Sequence, residues 1–152
     1  MRCVLIFCVL GFSWLVSPLC SEEYRFEEYR FAGRHFLASY LDCDEEALMD
    51  SQGVLAAMDE AVFASHATIL SKQEFFFDPQ GLTAAYLLSE SHASIHTYPE
   101  HRSCFVDLFT CGNKCMAEDF DRIMRKYLKP GRVISRTFLR SDTIEESSPS
   151  SH

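Results

Sequence analysis

Clustered Lys and Arg are missing from this 152-residue chain, which carries 14 basic side chains against 22 acidic ones and a formal charge of −8. Gripping a phosphate backbone takes basic side chains in patches, so the composition argues against a nucleic-acid partner. Strong zinc-finger spacings are missing as well. Three of the seven cysteines (Cys3, Cys8, Cys20) fall in an apolar N-terminal segment, and Cys43, Cys104, Cys111 and Cys115 form no regular framework. Cys111-x3-Cys115, even with Cys104 and His101 nearby, does not reproduce a finger pattern, so no metal site is expected and free thiols in a reducing compartment are the default. Neither a Gly-x-Ser-x-Gly turn nor a glycine-rich phosphate loop occurs, which removes the usual elbow of a serine hydrolase and the usual cradle of a nucleotide. The apolar run that stands out, Val4 to Val16, is too short to span a bilayer comfortably, so no stable membrane span is expected. It follows one basic residue and ends in small and turn-forming residues before Ser21-Glu22-Glu23. That outline is signal-like, or else an extension upstream of the true start, and residues 1–20 are set aside as a leader.

What remains suits one domain with an ordinary core: hydrophobic residues make up 47% of the chain and charged residues 24%. A tandem repeat, EEYRF-EEYRF from Glu22 to Phe31, marks residues 21–32 as a charged and aromatic arm. The folded domain is expected over 33–140, with a polar tail over 141–152. Alternating apolar and polar positions predict strands at Gly33–Cys43, Ala67–Phe76, Leu82–Leu88, Ser103–Thr110 and Arg132–Arg140. Acidic residues at Asp44, Glu45 and Glu46 open a helix whose buried stripe is Leu48, Leu55, Met58 and Val62, with Gly53 in its middle. A second stripe, Phe120, Ile123, Tyr127 and Leu128, predicts a helix over Ala117–Leu128 ended by Pro130-Gly131. Asp78-Pro79-Gln80-Gly81 is a turn sequence and joins two of the strands as a hairpin. Tight turns between strands imply an α+β fold, a two-layer sandwich of a mainly antiparallel sheet with helices on one face. The other face needs cover, and packing of two sheets across a dimer is the economical solution.

One stretch holds chemistry, Leu87 to Glu100, LLSESHASIHTYPE. Position alone makes Ser91 a turn former or helix cap. Its neighbours, Glu90 and His92, fit no hydrolase elbow. Taken with VDLFTCG (Val106 to Gly112), GRHFLASYLDCDEEAL and GLTAAYLLSES, the stretch resembles the signature of the short prokaryotic, pyruvoyl-dependent S-adenosylmethionine decarboxylase proenzymes. The shared features are the Glu-Ser-His core, a histidine five residues after the serine and a Thr-Cys-Gly with its cysteine twenty residues after it.

The resemblance implies that the chain cuts itself between Glu90 and Ser91, leaving a beta chain that ends at Glu90 and an alpha chain that starts at a pyruvoyl group made from Ser91. That group would be the cofactor, its ketone forming a Schiff base with the substrate amine. His96 matches the family's proton acceptor in processing, and Cys111 its proton donor in decarboxylation. Thr83 stands where the family usually carries a processing serine. Tyr98 stands where tryptophan is common, with an aromatic face for adenine or a sulfonium cation, and Glu100 is placed to accept hydrogen bonds from ribose hydroxyls. His92 is expected to be an ordinary packed histidine. The implied function is decarboxylation of S-adenosylmethionine for spermidine synthesis by a cytoplasmic homo-oligomer of alpha/beta chain pairs, although the leader leaves export open. Two alternatives stay open: a pyruvoyl-dependent decarboxylase of ornithine or arginine on the same fold, and an unprocessed binding homologue.

Overall fold

The computed structural model describes residues 31–111 and 114–142. The leader, the arm up to Arg30, Gly112-Asn113 and the tail from Thr143 onward lie outside the described residues. Six strands form one antiparallel sheet: β1 (Ala32–Leu41), β2 (Ile69–Phe76), β3 (Leu82–Leu88), β4 (Ser91–Tyr98), β5 (Ser103–Thr110) and β6 (Arg132–Ser141), in the order β2-β3-β4-β5-β1-β6. Helices α1 (Glu45–Met49), α2 (Ser51–Ala64) and α3 (Ala117–Leu128) cover one face. The fold is therefore α+β, as the strand and helix patterns imply.

Period-two alternation sorts the side chains between the two faces. Phe36, Ala38 and Tyr40 of β1, Ala84 and Tyr86 of β3, Ala93 and Ile95 of β4, and Val106 and Leu108 of β5 are all buried beneath the helices. Phe120, Ile123, Met124 and Leu128 close the core from α3, with the Phe120 ring 6.4 Å from that of Phe36. Full burial of a side chain such as Phe120 contributes roughly 1.5–3 kcal/mol. The opposite face has no covering layer among the described residues. It presents Phe75, Leu87, Phe105, Ile134 and Phe138, each about half exposed, on the same side as His35, His92 and His96.

Two details depart from the sequence reading. Ser91–Tyr98 is a full interior strand, giving six strands where five were expected. Its hydrophobic signal is faint because only Ala93 and Ile95 are apolar on the core face. Thr97 completes that face by accepting the Leu82 N–H at 2.8 Å. The expected single helix over residues 44–62 is two helices, because Asp50 ends α1 and caps α2, accepting the Gly53 N–H at 3.0 Å. Gly53 therefore lies in a first helical turn, where a Cβ would collide with Asp50 and with the Tyr127 hydroxyl. The β2–β3 hairpin forms as expected, closed by Phe77 N–H to Gly81 O at 2.9 Å with Gly81 at φ +115°.

Candidate active site

The strand β4 carries candidate residues at both ends. At its start, Ser89 and Glu90 form the two-residue connection from β3, and Ser91 takes φ +151°, a conformation residues with a Cβ seldom adopt and that costs about 1–3 kcal/mol. Several contacts hold this turn. Ser89 N–H donates to Thr68 O at 3.0 Å. The Glu90 carboxylate accepts the Ser89 hydroxyl at 2.5 Å and the Thr68 N–H at 2.8 Å. The Glu90 carbonyl, which belongs to the peptide bond preceding Ser91, accepts the Cys111 N–H at 2.9 Å.

The twenty-residue spacing between Ser91 and Cys111 is a consequence of register. Strands β4 and β5 pair antiparallel with Ser91 opposite Thr110, so the residue after Thr110 must fall beside the β3–β4 turn. The Ser91 Oγ lies 3.6 Å from the Cys111 Sγ, and either atom can donate. Beside them opens a cavity of about 680 Å³ lined by Ser89, Glu90, Ser91 and Cys111, with Phe31, Ala32, Gly33, Phe109, Arg140 and Ser141.

The wall of this cavity is built by aromatic and cationic groups on the open face. The Arg140 guanidinium sits over the Phe109 ring, 4.3 Å from its centroid. The rings of His35 and His92 pack on Phe109 at 5.4 and 5.5 Å. His35 Nε2 has no hydrogen-bond partner and lies 3.8 Å from Asp107 Oδ1. Burial holds its pKa below the usual histidine value; Asp107 opposes that shift, while the charges of Arg140 and His92 reinforce it. Gly33 makes the cavity possible, since a Cβ there would stand 2.5 Å from the Phe109 ring and 3.2 Å from the Cys111 sulfur.

The far end of β4 forms a second, smaller cavity of about 270 Å³, lined by Phe77, Gln80, Gly81, Thr83, His96, Thr97, Tyr98 and Glu100. Thr83 and His96 face each other across the β3–β4 ladder, with Oγ1 2.8 Å from Nδ1. Tyr98 packs edge-on against Phe105 at 5.5 Å, and Glu100 is exposed in the short 3-10 turn Pro99–His101. The structure thus gathers Glu90, Ser91 and Cys111 at one end, and Thr83, His96, Tyr98 and Glu100 at the other. Five residues of extended chain separate Ser91 from His96, roughly 16 Å. Within one chain the histidine does not reach the serine.

Comparison with known proteins identifies the family. The profile of the family described as S-adenosylmethionine decarboxylase matches residues 34–141. An S-adenosylmethionine decarboxylase proenzyme from Methanococcus maripaludis (strain C5) is 36% identical over 118 residues, covering 75% of this chain and 97% of that protein. The chain belongs to the S-adenosylmethionine decarboxylase family. A proenzyme of the same name from Parasynechococcus marenigrum is 37% identical over 120 residues, covering 75% of this chain and 94% of its own length. Among solved structures, the adenosylmethionine decarboxylase from Aquifex aeolicus superposes with a TM-score of 0.69 at 31% identity, covering 78% of this chain and 98% of that one.

Membership in the S-adenosylmethionine decarboxylase family makes the chain a carboxy-lyase by class, and every candidate residue lies inside the matched region. Among the cavity residues not picked out from the sequence are Gly33, Phe109 and Arg140 in the larger one, and Phe77 in the smaller. Gly33 carried a usable signal, since a glycine inside a strand pattern often marks a close approach. Phe109 and Phe77 read as ordinary apolar positions. Arg140 gave no signal, because only the β1–β6 pairing brings the end of the chain's last strand beside β5.

Among the described residues four thiols are free, those of Cys43, Cys104, Cys111 and Cys115. Cys104 is buried in the core of β5, seven residues from Cys111, so the two cannot share a ligand. Among the described residues no group of three His, Cys, Asp or Glu is arranged to hold a metal ion, and no helix is long and apolar enough to cross a membrane.

Proposed function

We propose that this chain is a self-processing decarboxylase of S-adenosylmethionine, which converts its own Ser91 into a pyruvoyl prosthetic group. The observation that carries the reading is the turn at Glu90-Ser91: a serine in a strained backbone conformation, its preceding carbonyl already polarised by the Cys111 N–H. The residues fit the group. The Ser91 side chain is half-buried against a cavity, and its one near polar neighbour is a thiol rather than a base that would hold it as a hydrolase nucleophile.

Processing follows from these contacts. Attack of Ser91 Oγ on the Glu90 carbonyl carbon turns the amide into an ester and frees the Ser91 amino nitrogen. Strain in the turn favours that exchange, and the Cys111 N–H stabilises the oxygen as it gains charge. Removal of the Ser91 alpha proton then expels Glu90 as a carboxylate, and hydrolysis of the remaining enamine releases ammonia and leaves a keto group. A positioned imidazole is a common general base for such a proton, and His96 is the matching base, oriented by Thr83 Oγ1.

Because His96 lies at the far end of its own β4, a second copy is the natural supplier. Two open faces packed together would cover Phe75, Leu87, Phe105, Ile134 and Phe138 and set the Thr83–His96 end of one chain against the Ser91–Cys111 end of the other. Tyr98 and Glu100 would arrive with it, to hold the adenosyl sulfonium and the ribose.

In the processed enzyme the keto group supplies an electron sink for the loss of carbon dioxide from the substrate amine attached to it. Cys111 then returns a proton to the substrate carbon from Sγ, which requires that the thiol stay protonated until carbon dioxide has left. The product is the aminopropyl donor for spermidine synthesis. The test is intact mass measurement of purified protein together with release of carbon dioxide from carboxyl-labelled S-adenosylmethionine. Two fragments divided before residue 91, with a blocked terminus that carbonyl reagents trap, are expected. A chain that stays whole with serine at 91 overturns the reading.

A further inference from the structure

The larger cavity holds one cation whose purpose the proposed chemistry does not use. Arg140 comes from the end of β6, opposite Gly33 of β1, and is held over the Phe109 ring with its guanidinium carbon 4.3 Å from the centroid. Stacking of this kind fixes the plane of a guanidinium while leaving its N–H edge free to form hydrogen bonds. Among the described residues no carboxylate lies within ion-pair distance of Arg140; the other charged residue of the cavity, Glu90, is engaged by the Ser89 hydroxyl and the Thr68 N–H. The cavity therefore places a pre-oriented guanidinium, with no carboxylate partner among the described residues, in the same space as Ser91 and Cys111.

We propose that Arg140 binds the alpha-carboxylate of the substrate, the group that leaves, and so lets the enzyme tell substrate from product. The inference rests on the decarboxylase reading above. An amino acid attached through its amine at position 91 carries its carboxylate one carbon away, and a planar guanidinium pairs with a carboxylate through two parallel N–H···O bonds. The decarboxylated product has lost that partner and keeps only its adenosyl, sulfonium and amine contacts. Product release is thereby favoured. Carboxylate charge falls as carbon dioxide departs, so the arginine stabilises the bound substrate at least as well as the transition state. Its loss should fall on KM rather than on kcat.

The test compares wild type, Arg140→Gln and Arg140→Lys, using only protein that mass measurement finds cleaved. KM for S-adenosylmethionine should rise about ten- to hundred-fold in Arg140→Gln, as for a lost hydrogen bond between charged groups, with kcat changed less than about threefold. Arg140→Lys should recover part of the loss. Dissociation constants measured by calorimetry for the decarboxylated product and for the methyl ester of S-adenosylmethionine, neither of which carries the carboxylate, should be equal in wild type and Arg140→Gln to within about twofold. Equal weakening of acid, ester and amine would mean that Arg140 acts only by packing on Phe109, and an unchanged KM would remove the assignment outright. A wild-type chain that never cleaves overturns the decarboxylase reading and this one together, whereas cleaved, active wild type with an indifferent Arg140 overturns this one alone.

Discussion

The two ends of β4 are made by different means. At Ser91 the geometry is set by backbone: a two-residue turn, a residue at φ +151° and a carbonyl tied to the Cys111 N–H. At His96 the strand is regular, and the proposed chemistry depends on side chains meeting across a ladder, Thr83 Oγ1 with His96 Nδ1 at 2.8 Å. The contrast has a consequence. Substitution of the Cys111 side chain should separate processing from turnover, because its amide donor to Glu90 O survives. At the His96 end a substitution removes the proposed proton acceptor itself.

The strongest break of this comparison is Ser91→Ala, for which we expect no internal cleavage at all, read as one intact mass. His96→Ala should slow cleavage by about 10²–10⁴-fold, the usual contribution of a positioned acid or base. The decisive sharpening is to mix the two variants. If the two ends work across a pair of chains, Ser91→Ala protein supplies the missing histidine, and cleavage of the His96→Ala chain is restored in co-expressed protein. No restoration would place both ends of the chemistry in one chain, against the 16 Å estimate above. Cys111→Ala should still cleave, since its N–H remains on Glu90 O, while decarboxylation falls by about 10²–10⁴-fold as a proton donor is lost. Equal loss of both steps would mean that the thiol, not the amide, assists processing.

Smaller effects sharpen the cavity wall. Gly33→Ala forces a methyl against the Phe109 ring and should destabilise the fold by about 1–3 kcal/mol by thermal denaturation, with a loss of turnover larger than any loss of cleavage. The weakest expected effect concerns His35. Its folded pKa lies below the ordinary 6.5, so between those two values the unfolded chain binds the extra proton. Stability therefore declines as pH falls through 6.5 and levels off once the folded ring is also protonated. His35→Gln should flatten that segment of the stability–pH curve, and an unchanged slope would show that the ring is not held neutral.

Much of the sheet was legible because Phe36, Ala38 and Tyr40, or Cys104, Val106 and Leu108, place an apolar residue at every second position. β4 was harder to see because Ser91, His92, Ser94 and His96 interrupt any apolar pattern, and the strand is interior by virtue of its neighbours. The break at Asp50 was hidden because Leu48, Leu55, Met58 and Val62 continue a helical stripe across it. The candidates Glu90, Ser91, His96 and Cys111 came from the resemblance of their segments to the family signature. Arg140 and Phe109 were not legible, since neither residue is unusual until β1 has paired with both β5 and β6.

Sequence by itself determined the residue types, the local turns and the faces of the strands, all of which depend on neighbours within a few positions. Tertiary structure alone decided which of those residues share a cavity. A strand holds residues five apart at a fixed distance of roughly 16 Å, so Ser91 and His96 are parted by the very regularity that makes β4 stable. Antiparallel return of β5, by contrast, brings Cys111 to Ser91 from twenty residues away.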